Sequence, residues 1–259
     1  MTNNKESWLL KILSYPRAVL GGILLTISIA IYGSVLILIS IALGRQRASK
    51  AQDYILHTWS LFVAWLFTIK IRVEGQQNYS ENGVLFLFNH SSHFDIPLFY
   101  ASVRKPSTRF GAKIELFKVP FLSGVMKRSG VLPIARHRRE EVMQLYSDSI
   151  ARVYAGESFV LAAEGTRQPT PGVGANFKSG PLVFAIQGQF EIQPVVIRGA
   201  YDILPKTQLF PSWGKWINPV RVSILPPVST KGLTLDQRDQ LKASLHAMMT
   251  AEYNRLTLK

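Results

Sequence analysis

The chain has 259 residues, of which 47% are hydrophobic, with a mean hydropathy of +0.12 and a formal net charge of +14. This composition excludes a disordered chain and an ordinary soluble globule, and the length allows one substantial core plus an apolar appendage. The strong positive charge requires an anionic partner, which nucleic acid, an acidic membrane or a phosphorylated substrate could supply. Because there is no cysteine, disulfides, thiolate catalysis and cysteine zinc sites are excluded.

The first seventy residues differ in kind from the rest of the chain. Residues 18–44 contain no charged side chain and are bounded by arginines, so they are long enough to cross a hydrocarbon core as a helix. A second apolar stretch, 54–69, is shorter, follows a basic linker at 45–50, and is predicted to lie in the interface or to re-enter the membrane. A secretory signal fits poorly, since the apolar region is too long and no cleavage site follows it. We expect residues 1–70 to form a membrane anchor. The flanking charges leave its orientation open, and a hairpin with both ends on one side is an alternative.

After residue 70 the pattern is that of a single α/β domain, predicted over residues 71–259. Short β-branched and aromatic runs alternate there with helical stretches. The predicted strands are 84–89, 130–135, 158–163, 192–198 and 219–225. The predicted helices cover 140–155, 181–187 and a stretch that starts at a Thr234 to Gln237 capping box and continues to Leu256.

A histidine and an aspartate follow the strand predicted at 84–89. The sequence there reads Asn89-His90-Ser91-Ser92-His93-Phe94-Asp95. Imidazole titrates near neutral pH and is the commonest general base, and a nearby carboxylate can fix its tautomer and stabilise the imidazolium. We therefore interpret His90 and Asp95 as a pair that removes a proton from a substrate.

His93 raises two alternatives for this segment. With His90 and Asp95 it could hold a metal, but such a site needs further ligands, and His57, His137 and His246 lie in unrelated contexts. We expect no metal. The adjacent serines suggest a serine hydrolase, which is disfavoured because the chain has no Gly-x-Ser-x-Gly elbow.

A second polar cluster, Glu164-Gly165-Thr166-Arg167, directly follows the apolar run at 159–163. Open α/β sheets usually hold ligands at such strand ends. Glycine lets the backbone approach a ligand, and the planar fork of arginine suits phosphate oxygens. The alternative is a turn with a Glu-Arg surface pair.

Two further basic features lie between these clusters. The strand predicted at 130–135 places Arg136 at the same edge of the sheet as the Glu164 to Arg167 cluster, although a lone arginine at a strand end is more often a solvated charge. Lys113 belongs to a strongly basic region at 104–139. Such a region is either a solvated face or, beside a membrane anchor, a surface for anionic headgroups or a polyanionic acyl carrier.

Taken in this order, the clusters resemble the glycerolipid acyltransferases of the lysophosphatidic acid acyltransferase type. The resemblance covers roughly residues 70–200 and is specific through order and spacing. Its blocks are His90 to Asp95, then Lys113 to Pro120 with Gly130 to Arg136, then Glu164 to Arg167 followed by Phe177 to Gly180, and finally Ile192 to Val196. It implies an α/β fold with a mixed sheet flanked by helices, preceded by the membrane-embedded helical segment.

The resemblance also implies a reaction that is consistent with these residues. His90, oriented by Asp95, would deprotonate a free glycerol hydroxyl, which attacks the thioester of an acyl-CoA or acyl carrier protein without an acyl-enzyme. No cofactor is implied beyond this acyl donor. The implied substrate-binding residues are Arg167 and Arg136 for the acceptor phosphate, Glu164, Gly165 and Thr166 around that pocket, and Lys113 and Lys178 for anionic contacts.

The implied product is phosphatidic acid, made from lysophosphatidic acid at a membrane of phospholipids, expected to be the bacterial inner membrane with the site on its cytoplasmic side. Ser91, Ala135, Ala162, Ala163 and Gln168 depart from the family pattern near the acceptor, so another lyso-lipid stays open. A non-catalytic lipid-binding protein is a further alternative, although His90, Asp95 and Arg167 are all present. A nucleic-acid partner is not expected, since there is an anchor and no recognition motif.

Overall fold

The computed structural model of the protein describes residues 8–134, 139–212 and 214–258. The strands in these ranges are β1 (Ile69–Glu74), β2 (Leu85–Phe88), β3 (Thr108–Lys113), β4 (Leu132–Ile134), β5 (Ser158–Ala162), β6 (Ile192–Arg198) and β7 (Asn218–Ile224). They form one sheet in the order β1-β7-β6-β2-β5-β3-β4. The five strands from β6 to β4 run parallel, whereas β7 is antiparallel to β6 and pairs in parallel with β1. The sheet is therefore mixed, as the sequence predicts.

Helices cover both faces of this sheet. They are α1 (Trp8–Leu66), α2 (Asp95–Ser102), α3 (Pro120–Ser129), α4 (Arg139–Tyr154), α5 (Ser179–Gly188), α6 (Ala200–Ile203) and α7 (Arg238–Arg255). β2 is buried on both sides, because Phe86 belongs to the core under α1 and α2 while Leu87 belongs to the core under α4, α5 and α7. The central strands therefore read as apolar runs and end at the site described below.

All five predicted strands and all three predicted helices are present, but the sequence missed β1 and β3. β1 begins at Ile69, the last residue of the apolar stretch at 54–69, and no strand is predicted over the alternating apolar and charged residues that follow. β3 contains Arg109 and Gly111 and no apolar run, yet Arg109 is only 3% exposed because Asp53 neutralises it. Because a buried ion pair takes the place of apolar side chains here, the hydrophobic pattern does not predict this strand.

The helix α1 is a hairpin, because Gly44 adopts φ +72 and ψ 160 and breaks it. We call Trp8–Gly44 the first arm and 45–66 the second arm. The arms run antiparallel. Gly21 lies against Phe67, where an added Cβ would come within 2.9 Å of the ring, and near the turn Gln52 donates to Ser40 Oγ at 2.8 Å. The basic segment at 45–50, predicted as a linker, is helical, so that prediction is wrong.

Both ends of the hairpin are tied to the α/β domain. At the open end Arg17 donates to the carbonyl of Trp216 at 2.7 Å, and near the turn Gln52 donates to the carbonyl of Arg128 at 3.2 Å. Within the described chain, the first arm is the one helix long and apolar enough to cross a membrane, with a window of mean hydropathy 2.4 that is 17% buried. The exposed side of this arm is therefore an extended apolar surface.

Candidate active site

Asn89 fixes the end of β2, where the candidate site begins. Its side chain is fully buried, accepts the backbone N–H of Ile197 at 2.8 Å and donates to the carbonyl of Ile197 at 2.9 Å. These two bonds tie the end of β2 to β6 in a way that β-pairing alone would not. The next residue, His90, therefore starts from a rigid backbone position.

His90 and Asp95 form the predicted pair. The Nδ1 atom of His90 lies 2.8 Å from Oδ2 of Asp95, whose side chain is fully buried while that of His90 is 18% exposed. The same carboxylate oxygen accepts the backbone N–H groups of Ser91 and Ser92, each at 2.8 Å. Because the carboxylate can only accept, Nδ1 carries the proton and Nε2 keeps its lone pair. That arrangement leaves Nε2 able to accept a proton.

The loop after β5 holds the backbone of His90 on both sides. Glu164 accepts the N–H of His90 at 3.0 Å and that of Gly174 at 2.9 Å, and the N–H of Gln168 donates to the carbonyl of His90 at 2.8 Å. Burial raises the pKa of the Glu164 carboxyl above its usual value, and the backbone N–H groups of Gly174 and His90 oppose that shift. Glu164 thus contacts the backbone that carries the candidate base.

Arg167 lies in the same loop and has an unusual environment. Its Nη1 atom is buried and has no hydrogen-bond partner among the described residues. A buried guanidinium nitrogen without a partner costs free energy, so the position suits an anion that arrives with a substrate. Thr166 is half-buried beside it.

Gly165 and Lys178, two further predicted residues, are in contact. Gly165 has φ +65, and a Cβ there would come within 2.9 Å of Cγ of Lys178. The backbone N–H of Lys178 donates to the carbonyl of Ala163 at 2.7 Å. The glycine therefore lets the stem of Lys178 pass directly over the loop that contains Arg167.

His93 lies close enough to this group to respond to its charges. Its pKa is lowered by burial first, then by the positive charge of Arg167, and least by that of Lys113 at the end of β3. No group of three histidine or carboxylate side chains that could hold a metal occurs in the described parts of the chain. Arg136, the remaining predicted residue, lies outside the described residues.

Sequence reasoning missed the contacts made by backbone groups. The backbone N–H of Gln168 donates to His90, those of Ser91 and Ser92 donate to Asp95, and that of Gly174 donates to Glu164; none of these donors has a side-chain signal in the sequence. Asn89 precedes His90 in the sequence, but its partner Ile197 is on another strand. The adjacency of β2 to β5 and β6, which the sequence does not state, brings these groups together.

The fold and the site define a class of protein. It is an α/β domain docked on an apolar helical hairpin. A histidine–aspartate pair follows one strand, and the loop after the neighbouring strand contains an arginine whose buried Nη1 has no hydrogen-bond partner among the described residues. A family model described as "Acyltransferase" matches residues 70–198. The chain belongs to this acyltransferase family, which confirms the resemblance read from the sequence.

Curated relatives carry a more specific name. The chain is 30% identical over 172 residues to the 1-acyl-sn-glycerol-3-phosphate acyltransferase of Saccharomyces cerevisiae, covering 65% of this chain and 55% of that protein. It is 29% identical over 200 residues to the 1-acyl-sn-glycerol-3-phosphate acyltransferase alpha of Mus musculus, covering 76% and 68% respectively. The chain thus spans little more than half the length of the yeast relative.

The fold matches a solved structure over nearly its whole length. That structure is the 1-acyl-sn-glycerophosphate (LPA) acyltransferase PlsC of Thermotoga maritima, with a TM-score of 0.79 and 24% identity, covering 96% of this chain and 98% of that one. The coverage includes the N-terminal helices as well as the sheet. The likeness confirms the predicted fold, with its mixed sheet and N-terminal helical segment.

Proposed function

We propose that the protein transfers a fatty acyl chain to the free hydroxyl of lysophosphatidic acid and so makes phosphatidic acid for phospholipid biosynthesis. One observation carries this proposal. The loop after β5 contains both Glu164, which holds the backbone of His90, and Arg167, whose buried Nη1 lacks a partner. The residue that holds the proposed proton acceptor and the proposed anion site therefore lie in one loop. The names of the curated relatives support the same reaction.

His90 acts as the general base in the proposed mechanism. Its Nε2 removes the proton of the acceptor hydroxyl while the oxygen attacks the thioester carbonyl, and Asp95 stabilises the imidazolium across the 2.8 Å contact. The tetrahedral intermediate then expels the thiolate of the donor, which takes the proton from His90. No acyl-enzyme is required. A positioned base supplies about 10²- to 10⁴-fold in rate, so alignment and charge stabilisation must supply the rest.

Arg167 binds the acceptor phosphate in this proposal. A phosphate oxygen gives the buried Nη1 the hydrogen bond it lacks, and the planar guanidinium can hold two oxygens at once. Thr166 and Gly165 shape the pocket, while Lys113, Lys178 and Arg136 remain proposed contacts for anionic groups of the substrates. Glu164 acts mainly as a positioning residue, since its carboxylate is engaged by backbone N–H groups.

The acyl donor is proposed to be acyl-CoA or acyl carrier protein. Both bring a thioester on a phosphorylated arm, and a chain of net charge +14 attracts either one. No cofactor is proposed beyond this donor. Another lyso-lipid acceptor is the nearest alternative function, and it would use the same base with a different headgroup.

We also propose that residues 1–70 anchor the catalytic domain, 71–259, within one membrane leaflet. The first arm is 37 residues long, about 55 Å as a helix, whereas a hydrocarbon core is about 30 Å thick. Contacts tie the hairpin to the domain at its open end through Arg17 and near its turn through Gln52. A perpendicular crossing would draw the polar domain into hydrocarbon. We propose that this membrane is the bacterial inner membrane and that the site lies on its cytoplasmic side, and this part of the proposal rests on the family resemblance.

The central experiment compares His90→Ala with wild type. Membranes that contain each protein are incubated with labelled acyl donor and lysophosphatidic acid, and labelled phosphatidic acid is counted. We expect a loss of about 10²- to 10⁴-fold, with protein level and membrane association unchanged. His246→Gln, on α7 and outside the site, is the matched control and should retain activity. Near-normal activity in His90→Ala would overturn the assignment of the base.

A panel of acceptors separates the proposed function from its alternatives. Lyso-acceptors with and without a free phosphate headgroup are tested with wild type and Arg167→Lys. We expect a preference for the phosphate-bearing acceptor, and a raised KM for that acceptor in the variant, because lysine keeps the charge but loses the fork. Preference for a choline headgroup would favour another lyso-lipid. Lipid binding without any acyl transfer would favour a non-catalytic protein.

A further inference from the structure

A cavity lies at the opposite end of the parallel strands from His90. It has a volume of about 300 Å³ and is lined on one side by the second arm of α1, through Lys50 and His57, and on the other by the loop after α2, through Arg104 and Pro106. That loop precedes β3, whereas His90 follows β2, and both strands run parallel to β5. The cavity is therefore separate from the proposed acceptor site.

Three cations line this cavity, Lys50, Arg104 and Lys105, and the last donates to the carbonyl of Ser80. Lys50 and Arg104 are both exposed, and neither side chain has an ion-pair partner among the residues that the structure describes. The one acid in the lining, Asp53, is already neutralised, because it accepts from Arg109 at 2.5 Å and from the backbone N–H of Ser107 at 2.7 Å. The mouth thus carries uncompensated positive charge.

The wall of the cavity is mostly carbon. Val103 and Pro106 present aliphatic groups, and Tyr100 presents its ring because its hydroxyl donates to the carbonyl of Thr108 at 3.2 Å. His57 is fixed by a 2.9 Å bond from Nδ1 to the carbonyl of Tyr100. Positively charged side chains at the mouth and an apolar wall suit an amphiphilic ligand. Its anionic headgroup would lie between the cations, and its apolar part would pack against the wall.

The cavity opens beside the apolar surface of the second arm. Tyr54 and Trp65 on that arm are 71% and 73% exposed, and aromatic side chains of this kind favour the headgroup level of a membrane. Lys50 lies one helical turn before Tyr54, so the mouth of the cavity adjoins Tyr54 near the turn end of the arm, whereas Trp65 lies near the other end of the arm. A lipid headgroup at that level would reach Lys50 and Arg104 without leaving the membrane.

We propose that this cavity binds the phosphate headgroup of an anionic glycerophospholipid, held between Lys50 and Arg104 with its glycerol against Tyr100, Val103 and Pro106. The bound lipid is a structural ligand, distinct from the acyl acceptor. It fastens the turn end of the hairpin to the headgroup layer.

Native mass spectrometry of the full chain, released from a neutral detergent, tests this proposal. The protein is titrated with phosphatidylglycerol or phosphatidylcholine, and occupancy of the first bound lipid is measured. We expect tighter binding of phosphatidylglycerol, weakened about 30-fold in a variant that combines Lys50→Gln and Arg104→Gln. Pro106→Trp fills the cavity from an exposed loop without changing the net charge, and should weaken binding at least as much.

Three controls decide between this site and general attraction. Arg47→Gln removes an exposed cation from the same arm, and Arg167→Gln removes one from the acceptor site. Both should bind phosphatidylglycerol within about twofold of wild type. Inorganic phosphate at the same concentration should not compete. Wild-type binding in Pro106→Trp, equal loss in either arginine variant, or competition by inorganic phosphate would each overturn the proposal.

Discussion

Replacing Asp95 by asparagine separates two tasks of this carboxylate, orienting the His90 ring and stabilising its charge. Oδ2 of Asp95 accepts from Nδ1 of His90 and from the backbone N–H groups of Ser91 and Ser92, each at 2.8 Å. In Asp95→Asn the amide oxygen should keep this position. In the opposite orientation the amide NH₂ group would face the backbone N–H groups of Ser91 and Ser92, which would then lose their acceptor.

The magnitude of the effect follows from that orientation. Since an oxygen still faces Nδ1, the ring keeps its tautomer and Nε2 stays free to accept a proton. What is lost is the charge on the acceptor, and a charge-assisted hydrogen bond exceeds a neutral one by about 1 to 2 kcal/mol. Each 1.36 kcal/mol is a factor of ten in rate. We therefore expect kcat to fall about 5- to 30-fold, well short of the loss in His90→Ala.

The assay is an initial-rate measurement of phosphatidic acid formation at saturating donor and acceptor, normalised to folded protein. Asp236→Asn, a change at an exposed carboxylate, serves as the matched control and should leave kcat unchanged. If Asp95→Asn is as damaging as His90→Ala, the two backbone N–H groups do not hold the amide oxygen in place. If Asp95→Asn is fully active, the imidazolium needs no carboxylate, and the reasoning fails.

Three further predictions concern stability. Burial raises the pKa of Glu164, so over a window above the usual carboxyl value the folded protein holds a proton that the unfolded chain has lost. The free energy of unfolding should fall as pH rises through this window, and Glu164→Gln should flatten that slope in thermal melts. Asp53→Ala leaves Arg109 buried without its charge partner and should lower the free energy of unfolding by about 3 kcal/mol in a denaturant titration. Gly165→Ala combines φ +65 with a 2.9 Å approach to Lys178, and should cost about 1 to 2 kcal/mol in the same titration. A wild-type unfolding curve in either of the last two variants would contradict the corresponding contact.

The core of the site could be predicted because its parts are close in sequence. His90 and Asp95 are five residues apart, and the turn into α2 between them is long enough to fold the carboxylate back onto the ring. The strand before them is apolar on both faces, which marks a central strand of a parallel sheet. Local sequence therefore specified both the chemistry of the pair and its place at a strand end.

The rest of the site depends on strand order, which local sequence does not encode. Glu164 and Gln168 reach His90 only because β5 is the neighbour of β2, and Asn89 reaches Ile197 only because β6 is the other neighbour. The sequence left the hairpin of α1 as one alternative for a similar reason. An apolar run of sufficient length predicts a helix, whereas the antiparallel return depends on one glycine in a left-handed conformation.

In the proposed mechanism, this arrangement couples acceptor binding to the position of the base. Three adjacent strands, β6, β2 and β5, hold His90 through Asn89, through β2 itself and through the loop that begins at Glu164. Arg167 follows Glu164 by three residues in that loop, and Gln168 returns to the carbonyl of His90 at 2.8 Å. An anion bound by Arg167 would therefore contact the same loop that holds the backbone of His90. A phosphate-bearing acceptor would thus align the base as it binds, which gives the headgroup a part in catalysis as well as in affinity.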